Sequence, residues 1–473
     1  MNYNLIHQFE NVKPKKDKVL FRTENKTISH WEFYQLVRKY AYFFNNHINQ
    51  NDRVLLVLYD SIDALAIFYS LLYVGAVPII SNARARINTL VSQYEICKPA
   101  LSIVERDDLT FPNQLEISKI NLGKELEQPV HKNYNDLAYM LWTSGTSGRW
   151  KLVMYAHGRQ FDVTKILAES MHFSSNSKTY CTAKMSFILH LNTAVFNPMF
   201  NGGESYIDSG LSTPGRVQFI IDSYKPNVFV SIPLIYAQLL SQGRLSQESI
   251  VYHSGGERLP TSIIDGFLKT TKQKIVNHYG STEMACPCLL NFTGNSSVGK
   301  PIPGYEIRIV DEQGNLCQID QIGSLEIKSN IKTIGYFDDI ENTDPMYKND
   351  WSRTNDMASI DSNGMVWHHG RSGDIIKING QYINPLDIEE VLLTHSDIEQ
   401  AAVVIKQGHY SLEHIEAFVV LKQTSNTNQR EIRAWLRNNY DGSFLRIINI
   451  VETLPRTDNG KIQRYKLREN ITW

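Results

Sequence analysis

Cysteine is scarce in this chain. Five occur in 473 residues, Cys97, Cys181, Cys286, Cys288 and Cys317, an odd number and mostly far apart. They read as reduced, cytoplasmic thiols rather than a disulfide framework. Cys286 and Cys288 form a CxC pair, but no second Cys/His pair stands nearby at zinc-finger spacing, so small buried side chains are the better reading. Excess charge of either sign is missing too. Lys+Arg of 48 against Asp+Glu of 49 leaves a net charge of -1, so no global field favours nucleic acid or an anionic membrane. A long apolar run is also lacking: the most apolar region, 54–80, is interrupted by Asp60 and Asp63 before about 20 apolar residues accumulate. Core strand and helix are expected there. The N-terminal MNYNLIHQFENVKPKKDK lacks the apolar stretch and cleavage site of a signal peptide. No internal repeat or low-complexity linker is found.

What is present is an ordinary globular balance, 42% hydrophobic and 21% charged, in a chain long enough for two or more domains. From Asp52 to Ile80 a β-rich run (RVLLVLY), a helix-length segment and a second β-rich run (AVPII) follow one another, the rhythm of a parallel sheet. Similar units recur at ALSIV, at VFVSI before PLIYAQLLSQG, and at KIVNHYG. After about Gly294, short alternating strands broken by Gly, Asn and Asp turns predict antiparallel hairpins. Beyond Arg371 two helical segments and two strands predict a compact α+β tail. The expected fold class is therefore α/β: a large N-terminal domain of parallel-sheet subdomains with a small β-rich subdomain, then a small α+β C-terminal domain.

The segment 140–158, MLWTSGTSGRWKLVMYAHG, holds the densest chemistry. Gly145 and Gly148 let the backbone approach an anion, Thr143, Ser144, Thr146 and Ser147 supply hydroxyls, and Lys151 supplies charge, a set suited to a triphosphate. It is not a Walker A loop: only two residues separate the glycines, and Arg149-Trp150 precedes the lysine. A solvated turn would have the same composition.

With four further segments the chain resembles the superfamily of acyl-CoA synthetases, peptide-synthetase adenylation domains and luciferases. Those segments are NHYGSTE (277–283), WSRTNDMA (351–358), GRSGDIIKINGQYINPLDIEE (370–390) and LPRTDNGKIQR (454–464), in the family's order. The resemblance implies ATP-dependent activation of a carboxylic acid as acyl-AMP, then transfer to a thiol, with ATP, Mg2+ and coenzyme A. Residues 143–148 and Lys151 would meet the phosphates. Asn277, His278, Tyr279, Gly280 and Ser281 would surround the nucleotide, Thr282 would meet the α-phosphate, and Glu283 would hold magnesium. Asp356 would bind the ribose hydroxyls, and Arg371 ribose or phosphate. Gly255, Gly256 and Glu257, in HSGGERLP, would line the gap between adenine and acyl pocket. Lys461 would be the catalytic lysine. Gly373 would be the hinge between an adenylating domain, 1–372, and a mobile lid, 373–473, whose loop around Gly380 turns to the site for thiol attack. Attack of a carboxylate on a phosphate brings two anions together, which is why cationic groups and a metal are needed.

The chain departs from the pattern at Trp150 (usually proline), Leu152 (usually glycine), Asn355 (usually glycine) and Gly373 (commonly Asp or Lys). His157 reads equally as structural or functional. His190, Asn192, Phe196, Tyr236, Gly255, Met284 and Ala285 are the acyl-pocket candidates. Phe187 is followed by Ile188, where amino-acid-activating relatives carry Asp, so an α-amino acid is not expected. An aryl or modest aliphatic acid fits. Two alternatives stay open: a stand-alone adenylation enzyme loading a carrier protein's phosphopantetheine, and a non-catalytic nucleotide-binding regulator, against which the retained Lys151, Glu283, Asp356, Arg371 and Lys461 argue.

Overall fold

The computed structural model describes residues 1–11, 17–144, 150–243, 245, 249–337, 339, 344–374, 376–378, 381–407, 413–423, 425, 427–439, 445–457 and 462–469. Among them two large sheets carry the N-terminal domain. The first has seven strands, in the order Gly335–Tyr336, Trp150–Ala156, Leu137–Ser144, Val77–Ile80, Arg53–Val57, Leu101–Val104, Gln114–Leu115. Its strands are parallel from Leu137–Ser144 onward and antiparallel at the Trp150–Ala156 end. The helix Ile62–Val74 crosses between two of them. Ser61 caps its start by accepting from the Ala64 N–H, and Gly75, at φ +79, ends it. Nearly every residue between is buried, which is why the segment is apolar all round without being a membrane span. No described helix is long and apolar enough to cross a membrane.

The second sheet has nine strands, from Lys300–Pro301 through Cys286–Asn291, Ile275–Ser281, Val251–Ser254, Val228–Ser231, Lys178–Cys181, Glu204–Tyr206 and Val19–Arg22 to Thr27–Ser29. Its centre is parallel and both ends are antiparallel. One large core lies between the sheets, and a second, rich in Tyr and Phe, lies beneath the helices Pro214–Tyr224, Pro233–Ser241 and Thr261–Thr271.

The expected hairpins form a four-stranded antiparallel sheet of Glu306–Val310, Gly323–Lys328, Trp351–Ile360 and Val366–Arg371. In the C-terminal part, Ile398–Gln407, Glu413–Leu421 and Leu445–Ile450 make a three-stranded sheet packed against helices Pro385–Leu393 and Gln429–Asn439. The mixed α/β class with a small C-terminal α+β unit is thus the observed one. The strand Ile275–Ser281 meets the antiparallel sheet through Tyr279 and Asp356, and the C-terminal unit meets the N-terminal domain through Arg258 with Asp387 and Glu390.

Candidate active site

The residues expected at the nucleotide come together where two sheets meet. Tyr279, on Ile275–Ser281, donates its hydroxyl to Asp356 Oδ2 at 2.5 Å. Asp356 sits opposite Arg371 in the strand pairing, with Arg371 Nε at 3.7 Å and His368 Nε2 at 3.5 Å from its other oxygen. Burial opposes ionisation of Asp356, but the His368 contact, Arg371 and the Tyr279 hydroxyl outweigh it and hold the carboxyl below its usual range. A carboxylate fixed in this way is a ready acceptor for hydroxyl groups. Asn355, in place of the usual glycine, has φ +61. The position requires the left-handed region, and asparagine is among the few side chains that tolerate it.

The residues expected at the phosphates begin on the hairpin of Leu137–Ser144 with Trp150–Ala156, where Thr143 pairs with Lys151. Gly145, Thr146, Ser147 and Gly148 lie outside the described residues. The Lys151 ammonium contacts Asp344 Oδ2 at 2.6 Å and lies 4.4 Å from the centroid of the Tyr336 ring. Tyr336 in turn donates to Glu283 Oε1 at 2.9 Å. Burial, then the Glu283 carboxylate, push the Tyr336 phenol far above its usual range, so it remains a donor. Backbone anchors fix the same turn: Tyr155 donates to the Thr282 carbonyl at 2.7 Å and Thr333 Oγ1 to that of Glu283 at 2.6 Å. Ser281 accepts from the Met284 N–H. No cluster of three or more His, Cys, Asp or Glu gathers among the described residues. A single buried carboxylate with one oxygen held by Tyr336 fits magnesium, which takes one or two carboxylates and completes its shell with water and substrate phosphates. Glu283 would hold it.

Trp150 and Leu152 are explained by the strand. Leu152 is buried in a cluster with Trp142 and Ala83, and Trp150 packs on its edge. A regular strand position needs no glycine. His157 is fully buried and accepts the Leu5 N–H through Nδ1; burial lowers it to about 3, so it is a neutral structural residue.

On the acyl side the structure joins some candidates and separates others. Leu191–Phe196 is a π-helical turn, a feature frequent at functional sites. Within it, Asn192 accepts from Gln160 at 2.9 Å and donates to the Ala285 carbonyl at 2.8 Å. Ala285 has φ +64, a strained conformation held by that bond. Met284 receives the Tyr305 hydroxyl on its carbonyl at 2.7 Å. His190 is buried 3.8 Å from Asp60; burial lowers the imidazole to about 3 and raises Asp60 to about 7. Tyr236 is not brought to this group. It packs in the aromatic second core, its hydroxyl donating to the His253 carbonyl at 2.8 Å. Gly256 has φ +92 and so needs glycine.

The C-terminal part docks on the loop after Gly256. Glu257 accepts the N–H of Ile462 at 3.1 Å, and Arg258 pairs with Asp387 at 2.9 Å and Glu390 at 2.7 Å. Lys461 and Gly380 lie outside the described residues. Gly373 is exposed in the turn Ser372–Asp374, and a Cβ there would meet nothing within 4 Å.

Tyr336, Asp344, His368, Tyr155 and His253 escaped the sequence reading. The first two lie in an irregular stretch without periodicity. Only the spacing of His368 from Arg371, three residues on, offered a signal.

The model of the AMP-binding enzyme family matches residues 8–337, and that of the AMP-binding enzyme C-terminal domain matches residues 387–461. A 3-hydroxybenzoate–CoA ligase of Aromatoleum sp. (strain CIB) is 27% identical, covering 94% of this chain and 92% of the relative. A 4-hydroxybenzoate–CoA/benzoate–CoA ligase of Rhodopseudomonas palustris is 26% identical over 96% of this chain and 90% of its own. Among solved structures, a benzoate CoA ligase from Burkholderia xenovorans LB400 superposes with a TM-score of 0.90 at 24% identity, covering 99% of this chain and 100% of that one. That likeness speaks for the fold. The chain belongs to the AMP-binding enzyme family and is an AMP-forming acid–thiol ligase, a chemistry that uses ATP, Mg2+ and coenzyme A.

Proposed function

We propose that this enzyme activates an aryl carboxylic acid as its acyl-AMP and transfers the aroyl group to coenzyme A. The observation that carries the reading is the linked set Lys151, Tyr336 and Glu283 on one side and Tyr279, Asp356 and Arg371 on the other, flanking the turn 279–283. Relatives named for benzoate, hydroxybenzoates and anthranilate support the aryl class.

In this reading Asp356 and Arg371 orient the ribose, and Tyr279 and the backbone around Asn277, His278 and Gly280 cover the adenine. Residues 143–148 and Lys151 bind the phosphates. An oxygen of the acid attacks the α-phosphorus, and pyrophosphate departs. Thr282 and Lys461 steady the charge that develops on the α-phosphate. Magnesium, when bound, neutralises phosphate charge. Glu283 would hold that cation, with Tyr336 fixing the Oε1 of the glutamate. The thiol of coenzyme A then attacks the acyl carbon and AMP leaves, with the loop around Gly380 brought in by rotation at Gly373 of residues 373–473 against 1–372. Splitting the reaction keeps the mixed anhydride from water until the thiol arrives. The setting is the cytoplasm, where thiols stay reduced.

The test is incubation with ATP, Mg2+ and coenzyme A against benzoates, short and medium aliphatic acids and α-amino acids, reading AMP and thioester by chromatography. Thioesters of benzoates are expected. Turnover of aliphatic or amino acids alone would overturn the aryl assignment.

A further inference from the structure

Two histidines face one another inside the domain without belonging to any assigned group as a pair. His253, on Val251–Ser254, and His278, on the neighbouring parallel strand Ile275–Ser281, share a hydrogen bond between Nδ1 and Nε2 at 2.8 Å. Register puts both on one face of the sheet, since His253 pairs with Val276, two residues before His278. That face is opposite to Tyr252, which points into the aromatic second core. It carries the main core, to which Met284 and Ala285 belong, and His253 stacks there against Phe173.

Both rings are buried, at 0% and 4% exposure, yet His253 Nε2 and His278 Nδ1 meet no hydrogen-bond partner among the described residues. Burial holds both rings neutral, lowering His253 to about 3 and His278 well below its ordinary value. Two neutral imidazoles that share one proton always leave one free donor and one free acceptor at the outer nitrogens. Shifting the shared proton and the outer one together exchanges those roles. The pair can therefore answer a group that donates or one that accepts.

Gly255 packs directly against the His278 ring. A Cβ on that residue would lie 3.3 Å from His278 Cβ and 3.6 Å from His278 Nδ1. Gly256 needs glycine for its positive φ, but Gly255 has no such backbone demand, so the missing side chain there serves space. That position lies next to a buried, unpartnered nitrogen. A buried polar group left without a partner costs about 1–3 kcal/mol, and a ligand group that supplies the partner recovers it.

We propose that the His253–His278 pair is a specificity element of the acyl pocket, presenting His278 Nδ1 past Gly255 to a hydroxyl or amino substituent on the ring of the aryl acid. His253 acts through His278 and is a positioning residue. A second carboxylate on the acid is rejected, because a neutral, buried pair offers no charge to offset it. This inference rests on the aryl-acid reading above and goes beyond it in naming the substituent.

The experiment is acid-dependent exchange of labelled pyrophosphate into ATP with benzoate, the hydroxybenzoates, the aminobenzoates and phthalate, in wild type, His253→Phe and Gly255→Ala. Phe keeps the stack on Phe173 and removes the relay. Wild type is expected to prefer at least one hydroxy- or aminobenzoate over benzoate by about tenfold or more in kcat/KM, with phthalate inactive. His253→Phe should erase that ratio while changing benzoate less than about threefold. Gly255→Ala should lower the same ratio by closing the gap. Because the readout is a ratio between acids, partial unfolding of a variant does not imitate it. If His253→Phe does not fold, the wild-type ratio and Gly255→Ala decide. Equal use of benzoate and its substituted forms, as expected were a water to satisfy both nitrogens, overturns this proposal and leaves the aryl reading standing. A ratio that survives in His253→Phe also overturns it. Exchange with no aryl acid overturns both.

Discussion

The phenol of Tyr336 donates to Glu283 Oε1 at 2.9 Å, and the same ring lies 4.4 Å from the ammonium of Lys151. One side chain thus positions the acid proposed for magnesium and the base proposed for phosphate. Tyr336→Phe keeps the ring and loses the donor. It is expected to raise the magnesium concentration needed for half-maximal activity several-fold, with a loss in kcat of about tenfold. Tyr336→Leu should in addition raise the KM for ATP. A magnesium titration of both variants checks this; an unchanged magnesium requirement in Tyr336→Phe would contradict it.

Asp356 is held ionised by His368, Arg371 and Tyr279 against the cost of its burial. Asp356→Asn removes the charge that these groups surround and the acceptor proposed for the ribose hydroxyls. The KM for ATP is expected to rise by about tenfold or more, with the KM for the acid little changed. Initial-rate kinetics in each substrate decide it. A rise confined to the acid would place Asp356 elsewhere.

Lys461→Ala is expected to suppress formation of the acyl-AMP by about a hundredfold or more while leaving thioester formation from supplied acyl-AMP largely intact. Half-reaction assays separate the two. Equal loss of both would remove Lys461 from the adenylation step.

How much of this was legible in the sequence depends on the distance over which residues act. Strand–helix–strand order follows from local periodicity, so the parallel sheets and the antiparallel hairpins after Gly294 could be read directly. Departures from the family pattern could be seen but not explained. Asn355 became intelligible only with its φ of +61, and Leu152 only with its burial in a strand. Tyr236 shows the limit of pattern reading: nothing local tells which side of the sheet the helix Pro233–Ser241 covers. The pairing of His253 with His278, 25 residues apart, depends on strand register, and that of Lys151 with Asp344 on an irregular segment.

Stability should fall on acidification from neutral pH. His30, His157, His190, His253 and His278 are buried, and burial lowers the first to about 4, the next three to about 3 and the last well below the ordinary value of 6.5. Between about pH 6.5 and these values the unfolded chain binds protons that the fold refuses. Each histidine therefore subtracts up to about 1.4 kcal/mol per pH unit as pH falls through that window. Asp60 works the other way. Its carboxyl is raised to about 7 from 3.8, so the fold gains on its account as pH falls from 7 toward 4. Five groups against one leave a net loss, and the melting temperature should drop steadily from pH 7 to pH 5. A flat or rising profile would mean that some of these histidines are charged in the fold.

The central claim, that the acid is activated as an adenylate before any thiol takes part, is tested most directly by exchange of labelled pyrophosphate into ATP with magnesium present and coenzyme A absent. Exchange that depends on an aryl acid is predicted, and it should persist unchanged in Gly380→Leu, a variant aimed at the later thiol step. Measurable ATP binding with no exchange under any acid would contradict the account and leave a nucleotide-binding protein without adenylating activity.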